Sequence, residues 1–205
     1  MHLERRRAVS AAMAIALAAS VPAAARGREC AVETRLEWVD VSGLAPFAYP
    51  AMAVETTEAL AGYGVCAEVV RASPSSVRTS EEIGVVLLRS MGGSGAGRHI
   101  LGATRSRDLR NATVWVYFDA VASALGLDAR PTESWSGIER AEFGRALGRV
   151  AAHEVVHALL PERPHDRGGL MSPSFGRREL TVSTLDTHPG LLADMRRAGP
   201  ERQQP

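Results

Sequence analysis

The chain has 205 residues, which is the size of one domain with a tail. An apolar fraction of 45% and a charged fraction of 23% are those of an ordinary globular protein. A formal net charge of +1 offers no global field for nucleic acid or an anionic membrane, so neither is an expected partner.

Residues 1–25 read as a secretory signal. "MHLERRR" is a basic start, and "AVSAAMAIALAASV" is an apolar run shorter than the roughly 20 residues that a spanning helix needs. "PAAA" then supplies small residues for cleavage near Ala25. The expectation is a secreted or periplasmic protein with no integral membrane span after processing. In such an oxidising compartment the even pair Cys30 and Cys66 is expected to form a disulfide; two buried free thiols are the alternative.

The mature chain, a domain expected over 26–195 with a flexible tail at 196–205, begins with a strand. "CAVETRLEWVDV" is rich in β-formers and alternates over about 30–41. A helix follows at 50–61, ended by Gly62 and Gly64, and "VCAEVVRA" is a second strand at 65–72. If these strands are parallel neighbours, Cys30 and Cys66 open them side by side. "SPSSVRTSEE" is a loop, and "IGVVLLRS" is a nearly continuous apolar run, hence a buried strand.

"MGGSGAG" is a Gly-rich loop without the Lys and Ser/Thr of a phosphate loop. "RHILGATR" reads as a short exposed strand, and "ATVWVYFDAV" as a strand at 112–118. After a polar segment containing Pro131 comes a long helix, 137–160. Phe143, Leu147, Val150, Val155 and Ala158 fall on one side of it, and Pro161 stops it. Beyond that lies a loop with one short helix near "PGLLADMRR".

The end of the long helix carries "HEVVH". His153 and His157 are four apart, so they return to nearly the same helical face one turn along. Two imidazoles there can reach one metal ion. Glu154 lies about 100° further round, from where it can approach a water beside the metal without being a ligand. Two His and a Glu among Val150, Val155, Val156, Leu159 and Leu160 would be costly to bury without a partner. Zinc suits the donors, because it takes imidazoles at low coordination number and leaves a position open.

A catalytic zinc requires a third protein ligand. The chain turns at Pro161 and Pro164, which leaves His165, Asp166 and Glu162 within reach. His165 is the better candidate. Asp166 would then orient a ligand ring, or would itself be the alternative ligand. Met171 follows in "GGLMSP", a tight turn that could pack beneath the site.

With these residues in view, the chain resembles the metzincin clan of zincin-type zinc metallopeptidases. The resemblance rests on His153, Glu154, His157, a distal His165, and Met171 followed by Pro173. The active-site helix is similar to that of matrix-metalloprotease-like sequences, and the longer ligand spacing is similar to that of small bacterial secreted zincins. The resemblance implies an α+β, zincin-like fold, in which a twisted mixed β-sheet with an antiparallel edge strand packs on the long active-site helix. It also implies Zn2+ as cofactor, Met171 as the Met-turn residue, and a monomeric endopeptidase acting on a peptide or protein. The substrate would lie along an edge strand at Leu101, Gly102 and Ala103, faced by a wall at 172–176. His99 reads first as a surface strand residue, with a place near the cleft as the alternative.

The pattern departs from the clan in three places. The clan has a Gly three residues after the second His and a third His three further on; here those positions are Leu160 and Arg163, so the loop to His165 is two residues longer. No Tyr follows Met171, and no cysteine-switch segment is present. A non-catalytic zincin-like peptide-binding module with structural zinc is therefore a rival reading, although Glu154 would be superfluous in it. A third reading makes Glu179 the distal ligand.

Overall fold

The computed structural model describes residues 30–41, 43–72, 82–91, 99–105 and 112–202. The expected signal at 1–25, residues 73–81 of the first expected loop and residues 92–97 of the Gly-rich loop lie outside the described residues. Five strands and five helices follow in chain order. They are β1 (Val32–Asp40), α1 (Tyr49–Ala61), β2 (Val65–Arg71), β3 (Glu82–Leu88), β4 (Gly102–Arg105), β5 (Thr113–Tyr117), α2 (Phe118–Ala124), α3 (Gly137–Leu159), α4 (Arg177–Thr181) and α5 (Pro189–Arg202).

The strands form one sheet in the order β2-β1-β3-β5-β4. Every pairing is parallel except β4 with β5, which is antiparallel, with Gly102 opposite Val116 and Ala103 opposite Trp115. The expected mixed sheet with an antiparallel edge strand, packed on a long helix, is thus the architecture present. β3 lies in the middle of the sheet, and its Ile83, Val85 and Leu87 are buried, as a central strand requires. Parallel pairing of β1 with β2 brings Cys30 and Cys66 together, and they form a disulfide with Cα atoms 5.6 Å apart.

α3 runs through the core with fifteen buried residues, Phe143, Leu147, Val150, Val155 and Ala158 among them. Its start is set by a capping box. Ser136 Oγ accepts from the Glu139 N–H at 3.2 Å, and Glu139 Oε2 accepts from the Ser136 N–H at 2.8 Å. α1 packs directly on it, and Gly144 and Gly148 make this possible. A Cβ at either would come within 2.8 Å of the α1 segment, on Ala51 or on the carbonyl of Met52.

Arg149, fully buried on α3, pairs with Glu55 of α1 at 2.6 Å and donates to the carbonyls of Glu179 and Val182. One guanidinium therefore ties α1, α3 and α4 together. One carboxylate and two carbonyls meet its charge, which makes its burial tolerable.

Two boundaries differ from expectation. The strand expected at 112–118 is shorter: β5 ends at Tyr117 and α2 begins at Phe118. Phe118 turns inward, stacks on Trp135 at 6.0 Å and meets Phe143 at 4.8 Å, so an aromatic cluster captures the residue that alternation assigned to the strand. The last helix, α5, continues to Arg202, into the stretch expected as a flexible tail; residues 203–205 lie outside the described residues. No helix among the described residues is long and apolar enough to cross a membrane.

Candidate metal centre

α3 ends where its hydrogen bonding ends. The Leu160 N–H still reaches the Val156 carbonyl at 2.7 Å, and Pro161 then stops the ladder. The Arg163 N–H closes a turn on the Leu160 carbonyl at 3.0 Å, and the chain reverses. That reversal brings His165 back over the helix end.

His153, His157 and His165 form a group whose candidate ligand atoms all lie within 4.8 Å of one another. Nε2 of His157 and Nε2 of His165 are 3.1 Å apart. The rings of His153 and His165 are nearly parallel at 5.2 Å, and His157 stands edge-on to both at 4.8 Å. His153 is buried, His157 is half-buried and His165 is exposed, so the group opens to solvent on one side. Among the described residues this is the one group of His, Cys, Asp and Glu arranged to hold a metal ion.

Two of the donors, His153 and His157, are tuned by their surroundings. Burial lowers the pKa of His153 from 6.5 to about 4, against a smaller raising effect of its bond to Leu170. Burial also lowers that of His157. Both imidazoles are thereby kept neutral, the form that binds metal. Nδ1 of His153 is 2.7 Å from the Leu170 carbonyl, which can only accept. Nδ1 therefore carries the proton, and Nε2 keeps its lone pair for a ligand.

Leu170 and Met171 sit in a 3-10 turn, Gly169–Met171, which Gly169 enters at φ +67°. Both side chains are buried. The Met171 carbonyl accepts from the Asp166 N–H at 2.8 Å, so this turn and the His165 loop are stitched together.

Asp166 does not join the group. Its carboxylate accepts from Arg163 Nη2 at 2.7 Å and lies 3.7 Å from Nδ1 of His188. Arg163 also bonds Asp194 on α5. Asp166, expected as a partner of a ligand ring or as a ligand, instead braces the loop that carries His165, and the partner of the His153 ring is a backbone carbonyl. Glu179 is likewise elsewhere: its carboxylate accepts from the Gly176 N–H at 3.0 Å, at the start of α4.

Glu154 is 8% exposed and lies beneath β4. A Cβ on Gly102 would stand 2.8 Å from both Glu154 Cγ and Val150 Cγ1, so only glycine lets the edge strand approach this closely. Two residues on, Thr104 Oγ1 lies 2.7 Å from Glu154 Oε2 and 2.8 Å from the Glu154 carbonyl oxygen. Burial raises the Glu154 carboxyl from 4.5 to about 7, and the bond from Thr104 pulls it the other way. Tyr117 is raised as well, first by burial and then by the Glu154 charge.

A cleft of about 320 Å³ joins these parts. One side is His99–Ala103 and the other is Ser172–Phe175, with the three histidines and Glu154 at its floor. Leu101 stands just before β4, and its carbonyl still accepts from the Tyr117 N–H at 2.9 Å, so the edge pairing extends past the strand. Phe175 meets the His153 ring edge-on at 5.3 Å.

Thr104, Leu170 and Tyr117 carried no signal in the sequence. Each reaches the site through a contact between distant segments, and Leu170 does so with its backbone, which no side-chain pattern reveals.

No family model matches the chain, and no curated protein matches it. Among solved structures the chain is similar to archaemetzincin from Methanopyrus kandleri, at 16% identity and a TM-score of 0.49, with 84% of this chain and 97% of that one covered.

Proposed function

We propose that this protein is a secreted zinc endopeptidase, in which His153, His157 and His165 hold Zn2+ and Glu154 is the general base. The observation that carries this reading is the convergence of three imidazoles beside a buried carboxylate, at the foot of a cleft walled by a sheet edge.

The donors fit zinc. Two ligands of a tetrahedral zinc, each about 2.0–2.1 Å from the ion, stand roughly 3.3 Å apart. The 3.1 Å between the Nε2 atoms of His157 and His165 is close to that spacing. When bound, zinc supplies Lewis acidity toward water and toward a peptide carbonyl. Three imidazole ligands leave the full charge of the ion uncompensated, which favours that chemistry.

The remaining work belongs to the chain. Glu154 accepts a proton from the attacking water and passes it to the leaving amine. Its carboxylate is buried beside the three imidazoles, so it can serve both transfers from one position. β4 is the outermost strand of the sheet, so its free edge can take an extended peptide as an added strand. Residues 172–175 would confine the peptide from the other side. Export is supported by the signal-like residues 1–25 and by the disulfide, a bond at home in oxidising compartments.

The test is a peptide-library digest by the zinc-loaded protein, with and without chelator, beside Glu154→Gln. The variant should keep zinc and fold while hydrolysis drops by about 10²- to 10⁴-fold, the share typical of a lost general base. Undiminished hydrolysis by Glu154→Gln would remove Glu154 from the mechanism. A wild type that holds zinc and binds peptides but cuts none would instead be the peptide-binding module.

A further inference from the structure

We infer that Thr104 is a positioning residue for Glu154, its hydroxyl holding the carboxylate in the orientation that proton transfer demands. The inference rests on the reading of Glu154 as general base and adds to it a residue outside the motif.

Thr104 Oγ1 is 2.7 Å from Glu154 Oε2 and 2.8 Å from the carbonyl oxygen of the same residue. Both acceptors belong to Glu154, so the hydroxyl bridges that residue's side chain to its main chain and restrains the torsions between them. A hydroxyl has one proton and donates to one oxygen at a time. Its oxygen stays seated between the two in either case. Among the described residues no other side chain is hydrogen-bonded to this carboxylate.

The contact comes from the edge strand, 50 residues away in sequence. Gly102 and Thr104 lie on the face of β4 that meets α3, two apart as strand alternation requires. Gly102 leaves room for the Glu154 stem, and Thr104 takes its head. A β-branched side chain is stiff at χ1, so the hydroxyl is held in place before substrate arrives. The strand proposed to receive the peptide is thus the strand that aims the base. A small misplacement of a reacting group costs large rate factors, and this contact guards against one.

The experiment uses the full mature chain loaded with zinc and a peptide chosen from the library digest. Thr104→Val keeps the shape and strand propensity but lacks the hydroxyl; Thr104→Ser restores it. Thr104→Ala serves as a second deletion of the hydroxyl should Val crowd the site. Thermal unfolding and zinc content are measured for each. Thr104→Val should lower kcat by about 10- to 100-fold with KM and zinc content unchanged. Thr104→Ser should return kcat to within a few-fold of wild type. In a Glu154→Gln background, Thr104→Val should cause no further loss, because the group it aims has gone.

Wild-type kcat in both Thr104→Val and Thr104→Ala, beside an inactive Glu154→Gln, would overturn this inference and leave the base assignment standing. An equal loss with and without Glu154 would also overturn it, since Thr104 would then act through something else. Full activity in Glu154→Gln alone would defeat the base assignment first.

Discussion

His153 is oriented by Leu170, whose carbonyl oxygen lies 2.7 Å from its Nδ1 and which stands 17 residues further along the chain. The first histidine of the helix is therefore held by the turn that carries Met171, not by a neighbour on its own helix. The same turn accepts a backbone bond from Asp166, so His153 and the His165 loop share one support.

That arrangement separates the roles of His165 and Asp166. His165→Ala should abolish tight zinc binding, since it removes one of three donors. Asp166→Ala should keep the stoichiometry and lower the affinity by less than about 10-fold, because it loosens the loop that carries His165 without removing a ligand or a bond to one. Its carboxylate is already engaged by Arg163 at 2.7 Å, and Arg163 in turn reaches Asp194 on α5. Metal analysis and competition with a chelator measure both quantities. Zinc retained in His165→Ala but lost in Asp166→Ala would exchange the two assignments.

Gly102→Ala should damage the site more than the fold. The added methyl would meet Glu154 Cγ and Val150 Cγ1 at 2.8 Å, so β4 must lift or Glu154 must move. Overpacking of this kind costs about 1–3 kcal/mol. Urea unfolding should show a loss in that range, and the hydrolysis assay a drop with zinc content preserved. Unchanged turnover would mean that β4 and Glu154 move independently.

The metal-free protein should show two opposed pH dependences. Glu154 is raised by burial from 4.5 to about 7. The folded state then holds a proton that the unfolded chain releases, so this contribution falls as pH rises from 4.5 through about 7. His153 is lowered by burial from 6.5 to about 4, so its contribution is complete above 6.5 and is lost as pH drops toward 4. Glu154→Gln removes only the first. The metal-free variant should match wild type near pH 4 and exceed it near pH 8, by about 3.5 kcal/mol at most at about 1.4 kcal/mol per unit. Denaturant unfolding across that range measures the difference; a constant offset at every pH would contradict the burial account of Glu154.

Opening the Cys30–Cys66 bond should lower stability. It closes a loop of 36 residues. On the chain-entropy account that constraint is worth about 3–4 kcal/mol. The Cys30→Ala, Cys66→Ala double variant should lose about that much in denaturant unfolding while keeping its zinc, because the bond sits at the β1–β2 end of the sheet, far in topology from α3's last turn. Intact mass before and after reduction with alkylation verifies the bond in the wild type.

The sequence alone determined what depends on local periodicity. His153 and His157 share a face because four residues make about one helical turn, and that holds for any helix. Val85 and Leu87 had to be central because a continuous apolar run is stable only when covered on both sides. The end of α3 was legible because Pro161 cannot continue a helix. Tertiary structure decided what depends on contacts between distant segments. Phe118 left the strand for a helix because Trp135 and Phe143 offered it a partner, and no window around Phe118 contains them. Asp166 pairs with Arg163, which also reaches Asp194 on α5, and no window around Asp166 contains that helix. Thr104 came to Glu154 because Gly102 lets an antiparallel edge strand settle on α3 at that register, and a register is a property of the paired strands, not of either one.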